Sequence, residues 1–360
     1  MAVLPLLPVL ATTAMLALVA SAALLVGGRA PPLAAHVAFA LGVMPLILGA
    51  MSYFVPVLTR SGAPGFAAWG PPLLATSGGA LAVLAFATDH AAGTLSLAAV
   101  LGALAAAGLA AWALGRAGRM VGSRHRGLDW YLAALGMLLL ALLAVALMPV
   151  FPAQRSSLRL FHLHANLLGF VGLTALGTLQ VLLPTCLGQA DPMAIARLRQ
   201  DIKWAVGGVL LVAVGAALRP ESTFGAPGLA MSALGALLYG WVVLRMLHAW
   251  RSQFGRALLD MHSAAASLTA AAIGLLGLIV LGALHGFGWL PARPATAGFI
   301  IAFLLPLVSG ATAQLLPVWL RPGVQDAWHR NLRARLCRWS GVRGVTLLLL
   351  GMFVALTGSY

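Results

Sequence analysis

The chain has 360 residues, of which 61% are hydrophobic and only 8% charged. Soluble domains carry roughly a quarter of their residues as Asp, Glu, Lys or Arg, so this composition excludes a water-facing globular body. The formal charge of +15 does not indicate a nucleic-acid reader, which gathers its basic residues on one face, because here they sit between apolar runs.

A membrane-crossing helix needs about twenty mostly apolar residues. Taken in chain order, the sequence predicts eleven, at approximately 5–28, 32–58, 67–88, 93–115, 128–150, 158–184, 202–218, 227–248, 262–284, 294–319 and 343–358. The first 28 residues contain no Lys or Arg, so the charged head of a signal peptide is missing. Although Ala20-Ser21-Ala22 imitates a cleavage site, the run is read as a retained first span. Gly and Pro inside the runs are compatible with helices, being more frequent in membrane helices than in soluble ones. The fold expected is an all-α polytopic membrane bundle forming a single transmembrane domain over 1–360.

Orientation follows from the excess of Lys and Arg on the cytoplasmic side. With the N-terminus inside, Arg60, Arg116, Arg119, Arg124, Arg126, Arg197, Arg199, Lys203, Arg245, Arg251, Arg256, Arg321, Arg330, Arg333, Arg335, Arg338 and Arg343 share one side, which makes 17 of the 22 basic residues. Arg29, Arg155, Arg159, Arg219 and Arg293 are left opposite. The expectation is a bacterial-type inner (plasma) membrane protein with its C-terminus outside. Cys186 and Cys337 then lie on the cytoplasmic side, where thiols stay reduced. The stretch 321–343, with six arginines, serves as topology determinant or binds anionic headgroups.

Three segments align without gaps: His36 through Pro56, His164 through Pro184 and Ala297 through Pro317. Gly49, Gly177 and Gly310 each stand seven residues before the terminal proline, and Pro45 matches Pro306. These segments are spans two, six and ten. The pattern predicts a four-span unit used three times, over about 1–120, 121–255 and 256–360, with the last span missing.

A histidine twenty residues before a cytoplasmic-side proline lies roughly 30 Å away along the helix, near the outer leaflet. His36 and His164 therefore share a depth. Two imidazoles from two helices are the usual ligands of low-spin haem iron, and an ionisable side chain within a span is a functional candidate; the other reading is an interfacial residue. His162 precedes His164 by two, so the pair diverges by about 200° around the helix and serves two cavities. His162 would then address a second haem or a copper ion, for which imidazole is also suited. His90 and His285, in or beside outer loops, are candidates to complete that second site, or plain surface residues. His125, His248, His262 and His329 fall at the cytoplasmic side and receive no ligand role. All seven acidic residues are placed in loops or at span ends, which disfavours a proton pump or cation antiporter. Gln180 and Gln314 are expected to make interhelical hydrogen bonds.

The run His162-Leu-His164-Ala-Asn-Leu-Leu-Gly-Phe170 resembles the tenth span of subunit I of haem-copper oxidases, a family similarly built from three four-span units. The helix carrying His36 looks like that family's second span. The resemblance implies His36 and His164 as the low-spin pair and His162 as proximal ligand of a second haem. The chain departs from the family where its copper centre should be: the seventh run has no histidine, and no tyrosine is placed to cross-link to a copper ligand. An oxygen-reducing centre is therefore not expected. In size the chain is similar to the NnrS-like group of haem- and copper-containing membrane proteins linked to nitric oxide stress. That likeness implies b-type haem, with copper as a further metal, held near the outer leaflet for binding nitric oxide or another diatomic gas, or for electron transfer. A membrane transporter or metallocofactor-handling protein without redox activity stays open as the alternative. Because each four-span unit restarts on the same side, inverted-repeat alternating access is not supported.

Overall fold

The computed structural model describes residues 5–28, 30–88, 91–120, 122–220, 223–290 and 295–357. His90, Asp89, Glu221, Arg29 and Arg293 lie outside the described residues. Within them every regular element is helical, as a lipid environment demands of backbone groups that have no water to bond.

Among the described residues eleven helices are long and apolar enough to cross a membrane: Leu6–Val26, Pro31–Leu58, Phe66–Ala87, Gly93–Gly118, Gly127–Leu147, Pro152–Leu187, Ala194–Leu218, Gly225–Leu259, Ala264–Gly286, Thr296–Leu320 and Ala327–Thr357. The chain is a multi-pass membrane protein. The sixth span is its most enclosed, with 78% of its apolar stretch buried against 22% for the eleventh, so residues along that stretch face protein on nearly all sides.

Two spans begin well before their apolar runs. The seventh starts at Ala194, and Arg197, the first charge in it, is satisfied by neighbours. Arg197 pairs with Asp191 and donates Nε to Gln180 Oε1 (3.3 Å), and the fully buried Asp201 faces Arg245 at 3.3 Å. Gln180 thus meets the seventh span as expected, and Asp201, expected at the end of a span, lies seven residues inside a helix. The eleventh opens with an arginine-rich helix, Ala327–Cys337, inside the stretch expected to be a loop. Asp326 caps it by accepting the backbone N–H groups of Trp328 and His329, the first-turn donors that a helix leaves unpaired. The chain then turns at Trp339 (φ 59°) into Ser340–Thr357.

Spans two, six and ten share two features at matching register. Each contains a π-helical segment, Val37–Val43, Ala165–Gly172 and Phe299–Leu304. The first two begin on the residue after His36 and His164. Each also receives the preceding span against its aligned glycine. A Cβ on Gly49 would stand 2.6 Å from Leu10, on Gly177 2.6 Å from Trp130, and on Gly310 2.9 Å from Leu268. At Gly177 the contact is the Trp130 Cβ, so a larger residue would force the helices apart, while at Gly49 and Gly310 a leucine side chain would have to move. The π segments of spans two and ten are each pressed by a further glycine, Gly79 against the Ala40 carbonyl and Gly274 against that of Ala302. Phe39 and Phe299 bring spans two and ten together, their rings 5.9 Å apart.

Candidate functional site

The end of the bundle opposite most of the arginines carries four described histidines, from three spans. His36 sits at the first turns of the second span, His162 and His164 on Arg155–His164 of the sixth, and His285 in the last turn of the ninth. His36, His162 and His164 are partly buried and His285 is exposed.

All four use their Nδ1 in the same way. His36 Nδ1 lies 2.7 Å from the Pro32 carbonyl, His162 Nδ1 2.9 Å from that of Ala141, His164 Nδ1 2.9 Å from that of Leu160 and His285 Nδ1 3.3 Å from that of Leu290. A carbonyl oxygen only accepts, so each Nδ1 carries the proton and donates it. In a neutral imidazole this leaves Nε2 unprotonated, with its lone pair pointing away from the backbone. Metal-ligating histidines are typically held in this way, the second ring nitrogen donating to a carbonyl that fixes both tautomer and ring orientation. Asn166 completes the His162 surroundings. Its amide donates to the His162 carbonyl at 3.0 Å and approaches Nδ1 at 3.2 Å; with Nδ1 already a donor to Ala141, the carbonyl contact is the one that holds. The His36 ring rests on Phe86, centroids 4.4 Å apart.

Three of the histidines at the arginine-rich end behave differently. His125 Nδ1 accepts the Gly127 N–H (3.0 Å), and burial lowers its pKa, which suits an acceptor. His262 Nδ1 accepts the Trp339 N–H at 3.2 Å. His329 spends both nitrogens on protein, Nδ1 on the Asp326 carboxylate (2.7 Å) and Nε2 on the Arg321 carbonyl (2.8 Å). These three have structural work in loops and caps.

His36 lies within electrostatic reach of His162, and His285 within reach of His164. His36 thus has the first member of His162-Leu-His164 within electrostatic reach, while the sequence reading pairs it with the second. His162 and His164 each have a different histidine within reach, and His285 is near His164, whereas the sequence reading sets it beside the site of His162. His90 is outside the described residues. Sequence reasoning did not find the carbonyls of Ala141 and Leu290, nor Phe86, because nothing in their own sequence marks them as partners of an imidazole.

Among the described residues no three His, Cys, Asp or Glu side chains converge on one point as a metal-ion cluster. A haem asks less of the chain, since its porphyrin supplies the equatorial nitrogens and the protein only one or two axial ligands. No protein-family model matches the chain, and no curated protein matches it in sequence.

Proposed function

We propose that this membrane protein holds b-type haem at the end of the bundle away from most of its arginines, with His36 and His162 as one axial pair and His164 and His285 attending a second site. One observation carries the reading: four imidazoles from three spans are all fixed by a carbonyl at Nδ1 and so present Nε2 as a ligand. The pairing is supported by His36 lying within electrostatic reach of His162, and His285 within that of His164. The chain has no Cys-x-x-Cys-His sequence of the kind that attaches haem covalently, so the group would be held by ligation and burial alone. Copper is the other metal an imidazole site suits.

Bound haem would supply diatomic gas binding, nitric oxide included, or one-electron transfer, as in the haem-copper oxidase and NnrS-like proteins that the helix motifs resemble. The chain's own contribution is to fix the imidazoles, to keep water from them between the spans, and to set the polarity around them through Asn166 and Phe86. The matching glycines and π segments of spans two, six and ten support a four-span unit used three times. The 17 basic residues on one side support a cytoplasmic N-terminus in a plasma membrane of bacterial type.

A visible spectrum of the purified full-length protein, oxidised and dithionite-reduced, tests the reading. Sharp reduced bands of low-spin haem are expected. Protein that is folded and supplied with haem during expression yet shows no Soret band would end the proposal.

A further inference from the structure

At the arginine-rich end the second and fourth spans finish side by side around a cleft of about 690 Å³, lined by Thr59, Arg60, Ser61, Trp112, Arg116 and Arg119 among others. The chain spends its few carboxylates elsewhere. The arginines in ion pairs are Arg124, Arg126, Arg197, Arg245 and Arg321. Among the described residues no acid pairs with Arg60, Arg116 or Arg119, so three guanidinium groups share one concavity without a counter-charge from the protein.

The cleft is also built ahead of any ligand. Arg116 Nη1 donates to Ser61 Oγ and to the Gly62 carbonyl, each at 2.6 Å, and its guanidinium stacks on Trp112 at 4.6 Å. The Thr59 hydroxyl donates to the Val55 carbonyl (2.8 Å), so in the 2.8 Å contact between Ser61 and Thr59 it is Ser61 that donates. The result is a directed chain from Arg116 through Ser61 and Thr59 to the backbone. It consumes both hydroxyl protons and one Arg116 nitrogen, while Nε and Nη2 of Arg116 stay available as donors. Arg60 adopts φ 50°, in the left-handed region that costs a non-glycine residue of order 1 kcal/mol or more. Its neighbours hold it there, in the rim of the cleft.

We infer that this cleft binds a phosphate-bearing anion, supplied either by an anionic phospholipid headgroup or as free phosphate. Guanidinium groups match phosphate oxygens in paired, planar fashion. Trp112 is the residue type that settles at headgroup depth, and a basic pocket between spans is the form that headgroup sites take. Arginines at helix C-termini also complement the helix dipole, and a site serving that purpose alone would not select a ligand. The site is separate from the histidines and stands whether or not they bind haem.

The test uses the purified full-length chain in a neutral detergent and reads lipid binding by native mass spectrometry. Phosphatidylglycerol, phosphatidylcholine and inorganic phosphate are added separately. The variants are R60Q/R119Q, both side chains exposed, and R330Q/R335Q, which removes as much charge from the exposed basic helix of the eleventh span. Phosphatidylglycerol should bind in preference to phosphatidylcholine. R60Q/R119Q should weaken that binding roughly thirtyfold, from about fivefold per arginine near a membrane surface, with R330Q/R335Q unchanged. Inorganic phosphate that binds with the same sensitivity and displaces the lipid identifies the free anion as the ligand; phosphate that fails where the lipid binds identifies the headgroup. Equal losses in both variants, undiminished binding in R60Q/R119Q, or no binding of either anion would overturn the assignment.

Discussion

The Tyr239 hydroxyl, on the eighth span, donates to the Leu168 carbonyl of the sixth at 3.0 Å, and it does so across Gly172, where any side chain would collide with it. Leu168 lies in the π segment Ala165–Gly172 that follows the two histidines. A π segment widens the turn and is common at functional sites; here a hydroxyl from a neighbouring span reaches one of its carbonyls.

Two substitutions separate the parts of this arrangement. Tyr239→Phe keeps the ring and removes the donor, which should cost about 1–3 kcal/mol if the Leu168 carbonyl is left unsatisfied in the bundle. Gly172→Ala should cost as much or more by pushing Tyr239 away. Thermal unfolding in detergent measures both. If the double variant were as unstable as the sum of the singles, the two residues would not be acting on one contact.

The histidines make an asymmetric prediction. His36→Ala and His162→Ala should have equal effects on a low-spin haem spectrum, each converting it to high-spin or emptying it, because six-coordinate iron needs both axial nitrogens. His164→Ala and His285→Ala should leave that spectrum in place and alter only a second site. Loss of the low-spin bands in His164→Ala, with His162→Ala unaffected, would restore the partnership of His36 with His164 that register alone suggests.

That difference marks where the sequence stops being legible. The eleven spans can be read because each is a mostly apolar run long enough to cross a membrane. The expected depth of His36 and His164 rests on counting each back from an aligned proline. Which of His162 and His164 turns toward the second span depends on the rotation of the sixth about its own axis, and spacing along one helix says nothing of that. The tautomer is hidden for a similar reason: the Ala141 carbonyl that sets it for His162 is 21 residues away on the fifth span. The start of the seventh span and the helix Ala327–Cys337 were obscured by their charges, which look like loop until Asp191, Gln180 and the Asp326 cap are seen to satisfy them.

The Asp326 cap carries a pH dependence. Hydrogen bonds from the His329 side chain, then from its backbone, hold the Asp326 carboxyl below its ordinary range. A carboxyl lowered on folding contributes stability above its unfolded value, about 3.9, and loses it as pH falls through the folded value. Asp326→Asn retains a competent cap but loses the charge facing His329. The variant should therefore be less stable than the parent at pH 5, and the gap should close on acidification below about pH 4. Melting curves of the two proteins run side by side would show it, since every other acid is common to both. A gap that persists unchanged to pH 3 would mean the charge contributes nothing.

The buried pair at the head of the seventh span gives the largest effect expected. The side chains of Arg197 and Asp191 are 9% and 1% exposed, and Arg197 also donates to Gln180 on the sixth span. Two such charges gain little over an apolar pair of the same volume, because desolvation offsets most of their attraction, yet removing one partner strands the other in a medium that cannot solvate it. Arg197→Met should therefore destabilise the protein by about 3–5 kcal/mol. Among the described residues it leaves the Asp191 carboxylate with only the Met193 N–H at 3.0 Å and Gln180 without its donor. Asp191→Leu combined with Arg197→Met removes both charges and should recover a large part of that loss. Chemical denaturation in mixed micelles measures the three proteins on one scale. The decisive quantity is the recovery in the double variant: a loss under about 1 kcal/mol for Arg197→Met alone is what an exposed ion pair would give, and with no recovery it would show that these charges are solvated.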